Sequence, residues 1–483
     1  MNILMATSEC LPYSKTGGLG DVAYSLSKEF VKKGHNVLVV SPLYKKKFDF
    51  EKNHVTFIYS FPVKMSWREQ NANVLYCLHD GIDYFFIEND YYFSRDGGLY
   101  GFYDDGERFA FFSNAVIELI KHLPFRIDIC HVHDWQGGMI PCILKNLYQN
   151  DQVLGKIRTV LTIHNPLFKG YLSRESLGDL YNLPLWLYDN GSVRFDNQVS
   201  TLKAGIKFAD KITTVSPTHA FELTTVEGSK GLWYDLVLRQ NDFVGILNGM
   251  DYKEFDPSKD NSIYHKYNVK NCLTDKKINK EIFANEHGLD QNKPLFAVVS
   301  RLTDQKGLDL IYAMAEHLIG NGGTFAVLGS GQYDTEQVFN DLYARHPNDT
   351  FVYIGYSDDI AHKLYASSDF FIMPSAFEPC GLGQMIAHRY GSLPLVRRTG
   401  GLKDSVICYD KERKNQDVAN GFGFDDYNQD AARWCVDLAL DTFFNHKKVF
   451  NELVHNAMKT DHTWDKSADK YLELYELVLS YNN

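Results

Sequence analysis

A lysine and three glycines lie in one short segment near the start of the chain, Lys15 to Gly20. Glycines allow backbone amides to approach a ligand, and a helix N-terminus adds a partial positive charge. Lys15, Gly17 and Gly18 therefore suit a phosphate. The segment matches neither G-x-x-x-x-G-K-[ST], typical of nucleoside triphosphatases, nor G-x-G-x-x-G, typical of dinucleotide-binding folds. A plain turn with a solvated lysine stays an alternative.

Imidazole and carboxylate groups follow two later apolar runs. His131 and His133 precede Asp134, and His164 with Asn165 ends the next run. Alternation along a strand would place the two histidines on one face and Asp134 on the other, which is awkward for a metal. We therefore predict no metal site and favour a carboxylate that contacts a substrate hydroxyl. For His164, a structural and a catalytic role both stay open.

Two cations, Arg301 and Lys306, follow an apolar run in the second half of the chain. They come just before a predicted helix start, a setting that suits a diphosphate. Arginine offers a planar fork and lysine a point charge. Each charge-assisted contact could contribute about 1.5–3 kcal/mol. The alternative is a pair of solvated surface cations.

An acid and a glycine-rich helix start, Glu378 to Gly383, follow the apolar run 370–373. Glu378 can accept hydrogen bonds from sugar hydroxyls, and the amides that follow can face a phosphate. Thr399 and Gly400 begin a second such segment after the next apolar run. Because no structural reason for two glycine-opened helices is evident in the sequence, we interpret the pair as an anion and polyol site.

The elements that position these residues are short apolar strands alternating with amphipathic helices. A helix is predicted from Leu19 to Phe30, and a hairpin across Asp80 and Gly81. Doubly wound sheets bind ligands beyond the carboxyl ends of their strands. Each group of candidates follows one of the predicted strands, which are 3–6, 127–132, 158–163, 295–299, 370–373 and 393–396.

A charged stretch that contains Pro257 interrupts this alternation between residues 251 and 260. We therefore predict an α/β protein with two Rossmann-like, doubly wound domains, 1–250 and 251–465, facing a deep interdomain cleft. A helix that is apolar on one face is expected within 466–483, docked back on the first domain.

Composition narrows the classes of function. The net charge of −11 argues against a general nucleic-acid binder, which would need a basic face. No apolar run approaches the ~18 residues of a membrane span, and no signal peptide is recognisable. None of the eight cysteines forms a C-x-x-C pair. We expect a cytoplasmic protein with reduced thiols that binds neither nucleic acid nor membrane.

Six motifs together resemble the bacterial glycogen synthase and plant starch synthase family, which are retaining glucosyltransferases of the GT-B fold. They occur in this order over essentially the whole chain: K-T-G-G-L-G-D-V, H-x-H-D-W, T-I-H-N, S-R-L-T-x-Q-K-G-L-D, F-E-P-C-G-L and R-R-T-G-G-L. The resemblance implies transfer of glucose from ADP-glucose to the non-reducing 4-OH of an α-1,4-glucan such as glycogen or a maltooligosaccharide. It implies no cofactor, neither a metal ion nor pyridoxal phosphate, because ADP-glucose is a co-substrate.

The resemblance also assigns roles to residues. Catalytic roles fall on Lys15, Asp134, His164, Arg301, Lys306 and Glu378. Substrate contacts fall on Gly17, Gly18, Tyr100, Asn165, Tyr356, Cys380, Gly381, Leu382, Gly383, Thr399 and Gly400. Within these sets, Lys15 and the first glycines lie near the distal phosphate, and Asp134 with His164 surrounds the glucose. Arg301 and Lys306 contact the diphosphate, and Tyr356 stacks on the adenine.

The chain departs from the family pattern at two positions. Gly383 stands where the family usually has a threonine, and His388 where a lysine is common. These changes bear on rate more than on reaction type. Tyr356 would stack on adenine or uracil, so the sequence does not decide between ADP-glucose and UDP-glucose.

Three other classes of protein remain as alternatives. A glucan phosphorylase shares the architecture but needs a lysine-bound pyridoxal phosphate and is usually far longer. A non-catalytic glucan-binding paralogue is disfavoured because Lys15, Arg301, Lys306 and Glu378 are all present. A nicotinamide oxidoreductase is disfavoured by the missing glycine fingerprint.

Overall fold

The computed structural model describes residues 1–481, and their contacts form two compact units. The first unit contains residues 1–215 and 220–248 and the chain from 464 onward. The second contains residues 216–219 and 249–463. The sequence placed these divisions at 250 and 465 and did not suggest that residues 216–219 belong with the second unit.

The first unit is built on a nine-stranded sheet in the order β12-β11-β7-β6-β1-β2-β5-β4-β3, counted over residues 1–481. Only β3, β4 and β5 pair antiparallel, and a separate small sheet has the order β8-β10-β9. The strands are β1 (Asn2–Ala6), β2 (Asn36–Pro42), β3 (Thr56–Met65), β4 (Arg68–His79), β5 (Ile82–Glu88), β6 (Ile129–His133), β7 (Arg158–Ile163), β8 (Tyr171–Leu172), β9 (Arg194–Phe195), β10 (Gln198–Ser200), β11 (Lys211–Thr214) and β12 (Phe243–Gly245).

Helices cover both faces of this sheet's parallel part, whose strands are accordingly buried along their length. Helix α1 buries Val22, Leu26 and Phe30 at helical spacing, as predicted. The helices up to residue 248 are α1 (Gly18–Lys32), α2 (Asp90–Phe93), α3 (Asp105–His122), α4 (Asp134–Gly137), α5 (Met139–Leu147), α6 (Ser176–Tyr181), α7 (Trp186–Asp189), α8 (Thr201–Phe208), α9 (Pro217–Leu223) and α10 (Trp233–Leu238).

The predicted hairpin is confirmed. Strands β4 and β5 pair antiparallel, and Asp80 and Gly81 both have positive φ, of 51° and 79°. Two such residues form the tight turn whose twist matches that of a hairpin. The strand before it is longer than predicted and pairs with β3, which the sequence analysis did not identify.

The second unit is a parallel six-stranded sheet in the order β15-β14-β13-β16-β17-β18 within the described residues. Its strands are β13 (Leu295–Val299), β14 (Thr324–Gly329), β15 (Thr350–Ile354), β16 (Phe370–Met373), β17 (Leu393–Arg397) and β18 (Phe422–Phe424). Its helices are α11 (Cys272–His287), α12 (Leu308–Gly320), α13 (Tyr333–Arg345), α14 (Asp358–Ser367), α15 (Gly383–Arg389), α16 (Gly400–Ser405), α17 (Gln429–Asn445) and α18 (Lys447–Lys459).

Within the parallel strands of each large sheet, the chain order reverses direction once. Strand β1 lies between β2 and β6, and β13 lies between β14 and β16. Ligands of doubly wound sheets bind at such switch points, beyond the carboxyl ends of the strands. The loops after β1, β6, β13 and β16 are therefore the places in which to look for a site.

The C-terminal helix α19 (Trp464–Ser480) belongs to the first unit, as expected. Its buried residues join the core formed by β1, β2 and α1, and the ring of Tyr475 contacts that of Phe30 at 5.5 Å. Lys33 forms ion pairs with Asp465 and Asp469 at the helix start. None of the helices of residues 1–481 is long and apolar enough to cross a membrane.

Candidate active site

The glycine loop joins β1 to α1 and is exposed from Lys15 to Gly18. The Lys15 ammonium forms an ion pair with Asp21 at 2.8 Å. Helix α1 begins at Gly18, with Gly17 as its N-cap. A Cβ atom placed on Gly18 would meet nothing within 4 Å. Lys15 and the surface at Gly18 are thus open to a ligand.

Glu9 is a residue of this loop that the sequence analysis missed. Its buried carboxylate accepts hydrogen bonds from the Thr16 amide at 2.5 Å and from the Thr16 hydroxyl at 2.9 Å. Burial raises its pKa, while bonds from Thr16 and from the amide of Gly17 favour the charged form. The amides of Thr16 and Gly17, the second of which the sequence analysis expected to face a phosphate, therefore bind a carboxylate of the protein itself. The only signal in the sequence was an acid directly after a buried strand.

Asp134 follows β6 but does not continue it. It is the first residue of α4 and has a φ of 49°. The expectation that it lies on the opposite face of a strand from the histidines is therefore wrong. Its Oδ1 accepts hydrogen bonds from the amides of His164 at 2.7 Å and Asn165 at 3.3 Å. The two strand ends are joined by this carboxylate.

The environment of Asp134 controls its protonation. Burial raises its pKa to about 7; the His164 and Asn165 amides oppose this shift, and the negative charge of Glu9 adds to it. Asp134 therefore titrates near neutral pH, which suits a group that exchanges hydrogen bonds with hydroxyls. Among residues 1–481, no three histidine, cysteine or acidic side chains are grouped as metal ligands.

His164 lies beside Asp134 and is held by a second histidine. Its Nε2 atom is 3.1 Å from Nδ1 of His133. Burial lowers the pKa of His164 to about 3, so the ring is neutral at physiological pH. A neutral imidazole can donate from one nitrogen and accept at the other.

Tyr100 and Asn165 also lie in the first unit. The Tyr100 hydroxyl is 2.7 Å from the Ser8 hydroxyl, and burial holds the pKa of this tyrosine well above its ordinary value. The side-chain oxygen of Asn165 accepts a hydrogen bond from the Leu167 amide at 3.0 Å. Six of the seven candidates of the first unit thus lie in the loops after β1, β6 and β7 or at the helix starts that follow, and the Tyr100 hydroxyl contacts the first of these loops at Ser8. The six are Lys15, Gly17, Gly18, Asp134, His164 and Asn165.

In the second unit, Arg301 and Lys306 follow β13. The Arg301 side chain is exposed, and no hydrogen bond of its guanidinium occurs within the described part of the chain. The Lys306 ammonium lies 2.5 Å from the buried carboxylate of Glu378, which also accepts the Ser375 hydroxyl at 3.0 Å. Glu378 is therefore paired with a cation, an arrangement that the sequence did not indicate.

A cavity of about 310 Å³ opens at the ends of β13 and β16. Leu382 and Gly383 contribute to its wall. Mainly apolar walls with a few polar groups are typical of sites for small ligands. The polar lining residues are Ser300, Arg301, Lys306 and Ser375, and the apolar ones include Val299, Ile311, Ile372 and Ile386.

The glycines after β17 have a structural reason that the sequence analysis did not foresee. Gly400 has a φ of 44°, and a Cβ atom there would lie 1.9 Å from the Glu378 carbonyl oxygen. The Gly401 amide donates to that same oxygen at 3.1 Å. Gly400 and Gly401 therefore allow α16, whose N-cap residue is Thr399, to pack on the loop of Glu378. The second pair of glycines thus has a packing role that the sequence analysis had not found.

The loop from Cys380 to Gly383 is held by Gln384. Its side-chain nitrogen donates to the carbonyl oxygens of Cys380 and Gly381, both at 3.0 Å. Gly381 has a φ of 73°, which favours glycine. Cys380 is half-buried, and none of the eight cysteines of the described chain forms a disulfide. A Cβ on Gly383 would approach Phe371 to 3.0 Å, so a threonine would need this ring to move.

His388 does not face the cavity. It is fully buried, with Nε2 at 3.0 Å from the Asn420 carbonyl oxygen and Nδ1 at 2.8 Å from His462. Burial holds its pKa well below the ordinary value. This departure from the family pattern is therefore part of the core. Tyr356, by contrast, is 82% exposed after β15, where stacking on a base is possible.

Family models and full-length relatives show that this chain is similar to glycogen and starch synthases. The starch synthase catalytic domain matches residues 2–237, and glycosyl transferases group 1 matches residues 279–452. The glycogen synthase of Clostridium kluyveri is 42% identical over 99% of this chain and 100% of its own length. That of Clostridium botulinum is 43% identical over the whole of both chains.

Solved structures extend the comparison. The catalytic domain of starch synthase IV from Arabidopsis thaliana, bound to ADP and acarbose, is 31% identical over 99% of each chain, with a TM-score of 0.89. Sucrose-phosphate synthase from Thermosynechococcus elongatus is 13% identical over 99% of each chain, with a TM-score of 0.60, and shares the fold alone.

The raised pKa of Asp134 predicts a pH-dependent effect on stability. Above its ordinary pKa of 3.8 and up to about 7, the folded protein keeps a proton that the unfolded chain has lost. Wild-type stability therefore falls as pH rises through this window. Asp134→Asn cannot ionise and so escapes this loss of stability. The melting temperature of the variant minus that of wild type should therefore be larger at pH 8 than at pH 4.5. The exposed Asp96→Asn serves as control, and an equal offset at both pH values for Asp134→Asn would contradict the assignment.

Two glycine substitutions should differ in their effect on stability, because only one of the two glycines is closely packed. Gly400→Ala should destabilise the second unit by more than the ~1 kcal/mol of an average substitution, because its Cβ collides with backbone at a positive φ. Gly18→Ala has open space and should leave the melting temperature within about 1 °C. Differential scanning fluorimetry measures both. A melting temperature for Gly400→Ala equal to that of wild type would disprove the packing role.

Proposed function

Because the chain belongs to the glycogen and starch synthase family of GT-B glucosyltransferases, we propose that it transfers glucose from ADP-glucose to the non-reducing 4-OH of an α-1,4-glucan, with retention of configuration. Full-length relatives and both family domains support this reaction. The structural observation that carries the assignment of residues is the cavity after β13 and β16, which is lined by Arg301 and by Lys306, the ion-pair partner of Glu378.

The nucleoside diphosphate is the leaving group, and its negative charge grows as the bond between glucose C1 and the phosphate oxygen breaks. Arg301 offers an exposed guanidinium that no partner in residues 1–481 occupies, so it can bind phosphate without breaking an ion pair. The carboxylate of Glu378 fixes the Lys306 ammonium at the cavity wall. Such preorganised cations stabilise the developing charge more effectively than mobile ones.

We propose that the reaction needs no resident cofactor. Arg301, Lys306 and Lys15 supply positive charge of the kind that a divalent metal would otherwise bring to a diphosphate. The exposed ring of Tyr356 stacks on the base. We place the enzyme in the cytoplasm, where sugar nucleotides and glycogen are found together.

Residues of the first unit handle the transferred glucose and the acceptor in this proposal. Asp134 and His164 contact sugar hydroxyls, and Lys15 neutralises the distal phosphate. Tyr100 and Asn165 shape the same surface.

Retention of configuration at C1, without a clear nucleophile in the protein, favours attack by the acceptor on the same face from which the phosphate leaves. A double-displacement enzyme needs two carboxylates about 5 Å apart. Glu9 is tied to the glycine loop, and Glu378 to Lys306, so neither is free to attack C1. We propose that the bond from C1 to the phosphate oxygen breaks while the acceptor O4 bonds to C1 on the same face. The acceptor proton passes to the leaving phosphate oxygen.

The reaction class is tested by nucleotide release. Purified enzyme should release ADP from ADP-glucose at a rate that depends on added glycogen, with radiolabel from the glucose recovered in the glucan. UDP-glucose is assayed in parallel because the sequence left this choice open. Release that does not depend on glycogen would contradict transfer. Formation of glucose 1-phosphate from glycogen and inorganic phosphate would indicate a phosphorylase instead.

Arg301→Ala is the cleanest test of the diphosphate site. The side chain is exposed, so the melting temperature should not change, while kcat/KM for ADP-glucose should fall by about 10²–10³-fold. Arg413→Ala, whose side chain is 83% exposed in the same unit, is the matched control. Activity of Arg301→Ala within twofold of wild type would remove Arg301 from the site.

Lys306→Ala needs a second substitution to be interpretable. Loss of the ammonium leaves Glu378 buried and unpaired, which costs about 3–5 kcal/mol. Addition of Glu378→Gln should therefore restore the melting temperature without restoring activity. Recovery of both would show that Lys306 acts through folding alone.

A further inference from the structure

Three histidines of the first unit lie in a row at the ends of β6 and β7, with their rings tilted against one another. The ring centroids of His131 and His133 are 4.4 Å apart, and those of His133 and His164 are 5.3 Å apart. His131 and His133 are fully buried, and His164 is partly buried. Of the three, only His164 has a role in the proposed reaction.

At the inner end of the row, both ring nitrogens of His131 contact hydroxyl groups. Its Nε2 atom is 2.6 Å from the Thr162 hydroxyl, and its Nδ1 atom is 2.6 Å from the Tyr475 hydroxyl. The Thr162 hydroxyl is in turn 2.6 Å from that of Thr213, which lies 3.5 Å from the Leu161 carbonyl oxygen. Since a hydroxyl can donate or accept, these contacts satisfy His131 in either tautomer.

The outer pair of histidines shares a single hydrogen bond, from His133 Nδ1 to His164 Nε2 at 3.1 Å in one direction or the other. The Nε2 atom of His133 is buried and has no partner within residues 1–481. If His164 were the donor, the proton of His133 would be on this isolated Nε2. A buried N–H without an acceptor costs about 1–3 kcal/mol and is rare.

The opposite direction avoids this cost. If His133 donates from Nδ1, only a lone pair is left unpartnered on its Nε2. His164 then accepts on Nε2 and carries its own proton on Nδ1. That nitrogen has no hydrogen-bond partner within the described chain, and it is not among the buried unpartnered atoms, so it is accessible. Burial also lowers the pKa of both rings, which keeps each of them to a single proton.

We propose that His133 is a positioning residue that donates its Nδ1 proton to His164 and so holds His164 in the tautomer that presents Nδ1–H as a donor. An oxygen of the transferred glucose is the acceptor, a part of the inference that rests on the proposed function. The tautomer itself does not depend on the reaction. The hydrogen bond at one imidazole nitrogen commonly determines the protonation of the other in this way.

The tautomer can be measured directly in the full-length protein. Long-range ¹H–¹⁵N correlation on enzyme labelled at histidine distinguishes protonated from unprotonated ring nitrogens, and His164→Gln identifies the signals of His164. We expect wild-type His164 to be protonated on Nδ1 without any substrate present. Protonation on Nε2 would overturn the proposal without a variant being needed.

Two variants test whether His133 causes this state. His133→Phe keeps a ring of similar size but has no donor, so His164 should populate the Nε2-protonated form. His133→Asn places a side-chain NH₂ close to the position of Nδ1 and should restore Nδ1 protonation. We expect kcat to fall about 10–100-fold in His133→Phe, as when a hydrogen-bond partner of a functional histidine is lost, and to recover at least in part in His133→Asn.

Controls separate this inference from folding and from the proposed function. His122→Phe, at an exposed histidine of the same unit, should change neither kcat nor the signals of His164. An unchanged tautomer in folded His133→Phe, or equal losses of kcat in folded His133→Phe and His133→Asn, would contradict the positioning role. The expected tautomer in an enzyme that fails to use ADP-glucose would refute the proposed function alone.

Discussion

A carboxylate that folding removes from water must find hydrogen-bond donors inside the protein, and this requirement shapes the ends of the parallel strands. Glu9 binds amides of the glycine loop, and Asp134 binds the amide of His164 across to the next strand. Glu378 binds the ammonium of Lys306. The Glu9 contact folds one loop back on itself, and the other two each connect two loops that carry candidate side chains. Satisfying the buried charge therefore also positions the site.

The same requirement explains which groups are left for a substrate. Donors that bind a buried carboxylate are only partly available to a ligand, whereas Arg301 and Lys15 extend into solvent. Glycines divide in a similar way. Position 400 must be a glycine because a Cβ atom there would lie 1.9 Å from a backbone oxygen of another loop. At Gly18, by contrast, a Cβ atom would have open space. Proximity to a motif therefore does not distinguish a packing glycine from a ligand-binding one, but the space around it does.

Much of the secondary structure was predictable because it depends on local patterns. The strands 158–163, 295–299 and 370–373 match the structure at both ends, since fully buried parallel strands form continuous apolar runs. Helix α11 was missed because its buried face contains Lys276 and Lys280, which donate to carbonyl oxygens and to Asp369. An apolar periodicity cannot reveal a helix that packs through its polar side chains.

The sequence by itself determined the order of the motifs, their positions after strands, and through these the family and the fold class. Only the tertiary structure decided the partners and protonation of the candidate residues. Glu9 beneath the glycine loop, Glu378 paired with Lys306, and the histidine row that begins at Tyr475, 344 residues from His131, have no local signal. The physical reason is that hydrogen bonds and desolvation depend on distances between residues far apart in the chain, which neither spacing nor periodicity encodes.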